Sequence, residues 1–418
     1  MAEQKIDESK QKIIICGGGN AAHVFCGLSA SQSNNEVHLL SLYKTEAKDF
    51  ETAMNKTEDK LLTIDVAKSH KLIKSKPLNI TNDPKCLANA DVVIISLPAF
   101  AHAQYLNACK ENIKPTKDKK TLIAIFPGAS GVECEWQSIM GRNSNFVLLS
   151  CITLPWACRI KTFGQIVEIL STKKAVEVSL HEANGQESLY IEKIQHIISS
   201  ECELINYGHI MSMSLSAMNA VAHPAIMYSK WKDWNGKPLD EKPLFYHGVD
   251  KQTGDNMIEL SDEVILITKY IEKEATLKLN VPHIFEWFLQ VYSKECGDTS
   301  SLYKAMLTNP GYDGLTHPMT QTEDGKYIPN YNYRYLREDI PFGLIVIRGL
   351  SLILSDEYQK ELKGKLTLMD SVIQWGQKCL NKEYFIYNDQ NEIIKMGKDI
   401  NETRAPQRYG IKDIKDLA

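Results

Sequence analysis

Residues 12–23 read Lys-Ile-Ile-Ile-Cys-Gly-Gly-Gly-Asn-Ala-Ala-His, an apolar β-branched run that stops at three glycines. This is the outline of a phosphate cradle. Ile13, Ile14 and Ile15 suit a strand covered on both faces. Gly17 permits a tight turn, Gly18 continues it, and Gly19 lets the backbone come close to a pyrophosphate. Asn20 opens a predicted helix through Ala21 and Ala22, whose N-terminal amides and dipole face the anion. The spacing is G-x-G-x-x-A, with Ala22 where helix and strand must pack closely. It follows a predicted strand and opens a predicted helix, as a dinucleotide-binding turn requires, whereas an ordinary Gly-rich turn would need neither.

Two later clusters could act on what such a turn holds. His223 lies in an otherwise apolar helical segment that reads Met218-Asn219-Ala220-Val221-Ala222-His223-Pro224-Ala225-Ile226. A lone histidine there is most simply a satisfied core residue. Hydride transfer, however, needs a proton exchanged with a carbonyl, imine or amine centre, and imidazole suits that near neutral pH. The second cluster is Tyr333-Arg334-Tyr335-Leu336-Arg337-Glu338-Asp339-Ile340-Pro341-Phe342-Gly343. Asp339 is placed to cap the apolar helix that follows, with Pro341 in its first turn. Arg334 offers a planar fork for a substrate carboxylate or, equally, a surface salt bridge.

The elements that must position these groups change character along the chain. Val37–Leu42, Asp91–Leu97, Thr121–Phe126 and Phe146–Cys151 are short runs rich in Val, Ile and Leu, separated by stretches of helix length. Val167–Leu170 and Ala175–Leu180 follow as later strands. That rhythm predicts βαβ units and a Rossmann-like, doubly wound, mostly parallel α/β sheet. Pro98, Ala99 and Phe100 follow one strand end and Pro127, Gly128 and Ala129 another, where parallel sheets place ligands. From about residue 205 helical periodicity takes over, as in Met257, Ile258, Val264, Ile265, Ile267 and Ile271, and in Ile284, Phe285, Phe288 and Tyr292. The expected organisation is a polar tail over 1–11, a nucleotide domain over 12–204 and a mostly α-helical domain over 205–418.

Composition excludes several classes. The 418 residues carry a net charge of −4 with mixed signs, no footprint for nucleic acid. No apolar run approaches the ~20 residues that span a bilayer. The longest, Phe342–Leu354, contains Arg348 and reads as a buried helix. The polar N-terminus matches neither a secretory signal nor a transit peptide. Ten cysteines without C-x-x-C pairs or metal-finger spacing suit reduced, buried thiols in the cytoplasm, with no disulfide and no metal.

Seven segments together resemble the opine dehydrogenases of marine invertebrates. They are Gly17–His23, Leu97–His102, Thr153-Leu154-Pro155-Trp156-Ala157-Cys158-Arg159, His223–Ile226, Leu244-Phe245-Tyr246, Arg334–Pro341 and Pro406-Gln407-Arg408-Tyr409-Gly410. The resemblance covers nearly the whole chain in order. It implies an oxidoreductase that condenses pyruvate with an amine and reduces the imine with NADH, regenerating NAD in anaerobic glycolysis. It further implies a monomer, His223 as general acid/base, Asp339 holding and polarising it, Arg334 binding substrate carboxylate and Thr153 lining the keto-acid pocket. The strand-end residues Pro98, Ala99 and Phe100 would join the glycine turn in holding the dinucleotide.

Two positions depart from the family pattern. Where the arginine-using enzyme has a glutamate that reads the guanidinium, this chain has Ile152. An unpaired buried charge costs about 3–5 kcal/mol, so the expected partner is a small amine lacking a cationic tail: taurine, alanine, glycine or β-alanine. A family glutamine after Pro127 is replaced by Gly128 or Ala129, with Ser130 as the candidate substitute. The second strand ends without the usual ribose-binding acid, and Lys44 could meet a 2′-phosphate, although the resemblance implies NAD. The competing readings are a plain NAD-dependent 2-keto acid or polyol-phosphate dehydrogenase and a non-catalytic dinucleotide sensor.

Overall fold

Ile13, Ile14, Ile15 and Cys16 have no exposed surface, because the strand they form is paired on both edges and covered on both faces. The computed structural model describes residues 11–114, 119–142, 145–198 and 201–418. All but one residue of the expected tail, 1–10, lie outside the described residues.

Among the described residues twelve strands precede the helical half: β1 (Gln11–Cys16), β2 (Asn35–Leu40), β3 (Leu62–Val66), β4 (Lys71–Ser75), β5 (Asn79–Thr81), β6 (Val92–Ile95), β7 (Thr121–Ile125), β8 (Phe146–Cys151), β9 (Trp156–Thr162), β10 (Ile166–Thr172), β11 (Ala175–His181) and β12 (Glu203–His209). Eight form one sheet in the order β12-β11-β8-β7-β6-β1-β2-β5. Only the β11–β8 pair is antiparallel. The order reverses at β1, with β2 on one side and β6 on the other, which creates the crevice where doubly wound sheets hold ligands. The expected strand at Val167–Leu170 exists as β10, but it lies in a second, four-stranded sheet β4-β3-β10-β9. Its parallel pairing with β3, which in turn pairs with the polar strand β4, is a long-range event that periodicity does not show.

By internal contacts the chain divides into two units, residues 1–128 with 135–213, and residues 129–134 with 214–418. The second is built on the helix Lys251–Ala275, capped by Asp250, which accepts bonds from the Thr253 amide at 2.8 Å and the Thr253 hydroxyl at 2.7 Å. Buried Glu263 on this helix accepts the Leu368 and Met369 amides at 2.9 and 2.7 Å, satisfying the start of the helix Thr367–Cys379. The apolar run Phe342–Leu354 is buried as expected but broken. A π-helical segment, Ile340–Leu344, leads into the helix Ile345–Ser351. The charge of Arg348 is met there by Asp370, through bonds of 2.9 and 3.2 Å. All ten cysteines are unpaired; Cys16, Cys26 and Cys151 are buried and Cys379 is half-buried. No helix among the described residues is long and apolar enough to cross a membrane.

His23, which ends the glycine-turn segment, is structural. It is fully buried, its Nδ1–H donates to the Gly19 carbonyl at 2.9 Å, and its Nε2 accepts the Gly164 amide at 2.9 Å. This arrangement needs the neutral ring, and burial lowers its pKa from 6.5 to about 4. The neutral folded ring therefore contributes fully above pH 6.5, and its contribution is lost as pH falls from 6.5 through 4. At 1.36 kcal/mol per pKa unit the loss is about 3 kcal/mol. Urea titrations should show that the stability of His23→Gln falls less steeply than that of the parent over this window. Parallel curves would show that His23 does not titrate with unfolding.

Candidate active site

The glycine turn is shaped for a guest. Gly17 has φ +109°, and a Cβ on it would meet Leu97 Cδ2 at 2.7 Å and the Ser96 carbonyl at 3.1 Å, so only glycine fits between β1 and the end of β6. Gly19 is exposed, and a Cβ on it would meet nothing within 4 Å. The helix Asn20–Ala30 has no side-chain cap and no acidic residue in its first turn. Its leading amides are thus left for an anion over Gly19, and the fit to a dinucleotide pyrophosphate is good. Ala21 and Ala22 are buried in the packing behind the turn, while the Asn20 carboxamide oxygen accepts the Ile160 amide at 2.8 Å, tying the helix to β9. Pro98, Ala99 and Phe100 follow β6 at the same crevice, with Phe100 60% exposed and offering a ring face.

The fold also supplies an acid that the linear sequence hides. Glu46 lies beyond the strand end, but its carboxylate returns to the turn, where it accepts the Ser41 hydroxyl at 2.5 Å. A Cβ on Gly18 would touch it at 2.5 Å. Lys44 is exposed, with its ammonium over the Tyr43 ring at 5.1 Å.

Ile152 and Thr153 are half-buried in the loop after β8, at the carboxyl end of the sheet. The β9–β10 hairpin brings back Lys173, whose ammonium donates to the Thr153 hydroxyl. Gly128 has no room for a side chain, because a Cβ there would collide with Ser150 Oγ. Ser130 is fully buried, and its hydroxyl donates to the Ser214 carbonyl at 2.7 Å.

In the second unit, His223 and Asp339 meet although 116 residues separate them. His223 is 4% exposed on the helix Met218–Trp231, with Pro224 inside that helix. Its Nδ1–H donates to Asp339 Oδ2 at 2.8 Å. That bond orients the ring, selects the tautomer with Nε2 unprotonated when neutral, and stabilises the imidazolium when a proton arrives. The Tyr246 hydroxyl donates to Nε2 at 2.8 Å, and Tyr335 stacks on the imidazole with centroids 4.0 Å apart. Burial pushes the Tyr246 phenol well above its ordinary range, so it stays protonated.

Asp339 does not act as the helix cap that its position suggests. Its backbone is helical, at φ −75° and ψ −21°, and its side chain makes no capping bond because the carboxylate is turned to His223. Arg334, on the single turn Arg334–Arg337, is exposed, and its guanidinium has neither hydrogen bond nor ion pair among the described residues. No surface salt bridge to it is thus present among the described residues, where the neighbouring Glu338 feels its charge without bonding to it, and the fork is open to an anion. Sequence reasoning missed Tyr246 and Glu46; Leu244-Phe245-Tyr246 stood out only as a motif without a role. It also missed Gly343, where a Cβ would run into Ala220 on the His223 helix. That glycine lets the Asp339 segment lie against this helix. Gly343→Ala should lower unfolding free energy by about 1–3 kcal/mol through overpacking, measured by urea titration; an unchanged midpoint would show that the contact is slack.

Residues 206–380 match the family model described as NAD/NADP octopine/nopaline dehydrogenase, alpha-helical domain. The chain is 39% identical to tauropine dehydrogenase of Arabella iricolor, over 97% of this chain and 99% of that one. It is 38% identical to opine dehydrogenase of Haliotis discus hannai, over 98% of each. Among solved structures, an octopine dehydrogenase with NADH and L-arginine superposes with a TM-score of 0.84 at 34% identity, covering 97% of this chain and 96% of that one. With sequence, fold and near-complete coverage in agreement, this chain belongs to the opine dehydrogenase family.

Proposed function

We propose that this protein catalyses the NADH-dependent reductive condensation of pyruvate with the amine of a small amino acid or sulfonic amine, giving an opine and NAD. The observation that carries the reading is the buried His223–Asp339 pair, a held acid–base in a chain whose glycine turn also fits a dinucleotide. NADH, when bound, supplies the hydride that reduces the imine carbon. Gly17, Gly18, Gly19 and the amides from Asn20 to Ala22 would hold its pyrophosphate, with Pro98, Ala99 and Phe100 beside it. Glu46, next to Gly18, is the carboxylate that would accept the ribose hydroxyls and repel a 2′-phosphate, which supports NAD over NADP.

His223 would donate the proton that lets water leave during imine formation, and Asp339 would hold the ring for it. Arg334, with its guanidinium unpaired among the described residues, would take a substrate carboxylate. Thr153, carrying the Lys173 ammonium on its hydroxyl, would line the keto-acid pocket and add positive charge toward an anion. Ser130, committed to the Ser214 carbonyl, is the weakest member of the proposed pocket. The ten unpaired thiols suit a reducing compartment, the cytosol.

Ile152 supports the choice of amine. Octopine dehydrogenase is solved with L-arginine, whereas an apolar, half-buried side chain here offers a guanidinium no partner. A relative bearing the name tauropine dehydrogenase fits a small, anionic amine.

The test is NADH oxidation with pyruvate alone and with taurine, alanine, glycine, β-alanine or arginine. Turnover should need an amine, and arginine should be the poorest; amine-independent turnover would sink the condensation, and arginine leading the panel would sink the argument from Ile152. His223→Ala should reduce kcat about 10²–10⁴-fold. Ile152→Glu should raise kcat/KM for arginine relative to the small amines by about tenfold or more, because a carboxylate would then face the guanidinium.

A further inference from the structure

We propose that Tyr246 is itself a catalytic residue, its hydroxyl carrying the proton between His223 Nε2 and the substrate. The proposal rests on the reading of His223 as the acid–base of imine formation. Both ring nitrogens of His223 are occupied, Nδ1 by Asp339 and Nε2 by Tyr246, each at 2.8 Å. Asp339 reserves Nδ1, so chemistry must leave through Nε2, and the atom standing there is the Tyr246 oxygen.

The surroundings make this a fixed path. Tyr335 covers one imidazole face at a centroid distance of 4.0 Å, and Phe245 lies at 5.9 Å, so the ring has little freedom to swing away. Tyr246 is clamped in turn, stacked on Tyr312 at 4.0 Å and edge-on to Phe245 at 4.8 Å. A buried phenol of high pKa does not hold a charge, but its hydroxyl can accept one proton while releasing another. That is what a relay between an imidazolium and a departing hydroxyl requires.

The step balances. In the carbinolamine formed from the amine and pyruvate, the nitrogen lone pair forms the C=N bond as the C–O bond breaks with its electron pair on oxygen. That oxygen takes the Tyr246 hydroxyl proton and leaves as water. Tyr246 takes the Nε2 proton of His223, so the phenol is unchanged and the imidazolium becomes neutral. Solvent then reprotonates His223.

The experiment compares the parent with Tyr246→Phe, which keeps the stacked ring, using saturating pyruvate, NADH and the best amine of the panel. Relay predicts a kcat lower by about 10²-fold or more, with KM values moved by no more than a few fold. Proton inventories in H2O/D2O mixtures should be curved for the parent, where two protons move, and linear for Tyr246→Phe. If Tyr246→Phe fails to fold, 3,5-difluorotyrosine at position 246 retains ring and hydroxyl while acidifying the phenol, and a relay predicts that kcat shifts with it. A kcat for Tyr246→Phe within about threefold of the parent, or above it as removal of a mere stopper would give, overturns the relay, as does an unmoved kcat in the fluorinated protein. Absence of amine-dependent oxidation in the parent would instead overturn the function on which the relay rests.

Discussion

Everything proposed for the second unit depends on how closely the segment carrying Asp339 can approach the helix carrying His223. A carboxylate 2.8 Å from Nδ1 requires two backbones to pack with almost nothing between them. Gly343 provides that clearance, because any Cβ would occupy the volume of Ala220 one helical turn before His223. The π-helical winding of Ile340–Leu344, with Phe342 outside helical dihedrals at φ −109° and ψ 18°, sets the direction from which Asp339 arrives. Such π-turns recur at functional sites, where a locally costly backbone aims a side chain that regular helix would turn elsewhere. Pro224, which lacks an amide to continue the ladder, adds a second irregularity on the facing helix.

The nucleotide unit solves a related problem by omission. Close packing at Gly17 brings the end of β1 against the end of β6, and the missing cap on the next helix leaves its amides unanswered. An Asp or Ser at the cap would make a steadier isolated helix, yet it would fill the place of an anion. His23 compensates from behind, bonding the Gly19 carbonyl and the Gly164 amide while remaining neutral and buried. The turn is therefore supported on its inner side and open on its outer side.

Local rules made much of this legible. Short runs rich in Val, Ile and Leu identified the main parallel strands, and helical spacing identified Lys251–Ala275 and Ile284–Tyr292. What local rules misread was the use of side chains. Asp339 stands where a cap belongs, and its residue type and position favour capping; a partner 116 residues away takes the carboxylate instead. Glu46 lies past the expected ribose position, and only the return of its chain against Gly18 makes it a candidate there. β3 and β4 are short and polar-faced, so their place in a second sheet depends on β10 rather than on their own pattern.

By itself the sequence determined that a glycine turn sits between a buried strand and a helix, that an ionisable ring interrupts an apolar helix, and that an arginine, acids and tyrosines cluster before another. These follow from residue type and from periods of two and about 3.6 residues, which are local properties of a chain. Only tertiary structure decided that His223 meets Asp339 on one nitrogen and Tyr246 on the other, and that Arg334 has no ion pair among the described residues. Those outcomes depend on contacts between segments far apart in the chain, where packing volume at Gly343 and Ala220 decides which groups come within hydrogen-bonding reach, and no spacing along the sequence encodes that distance.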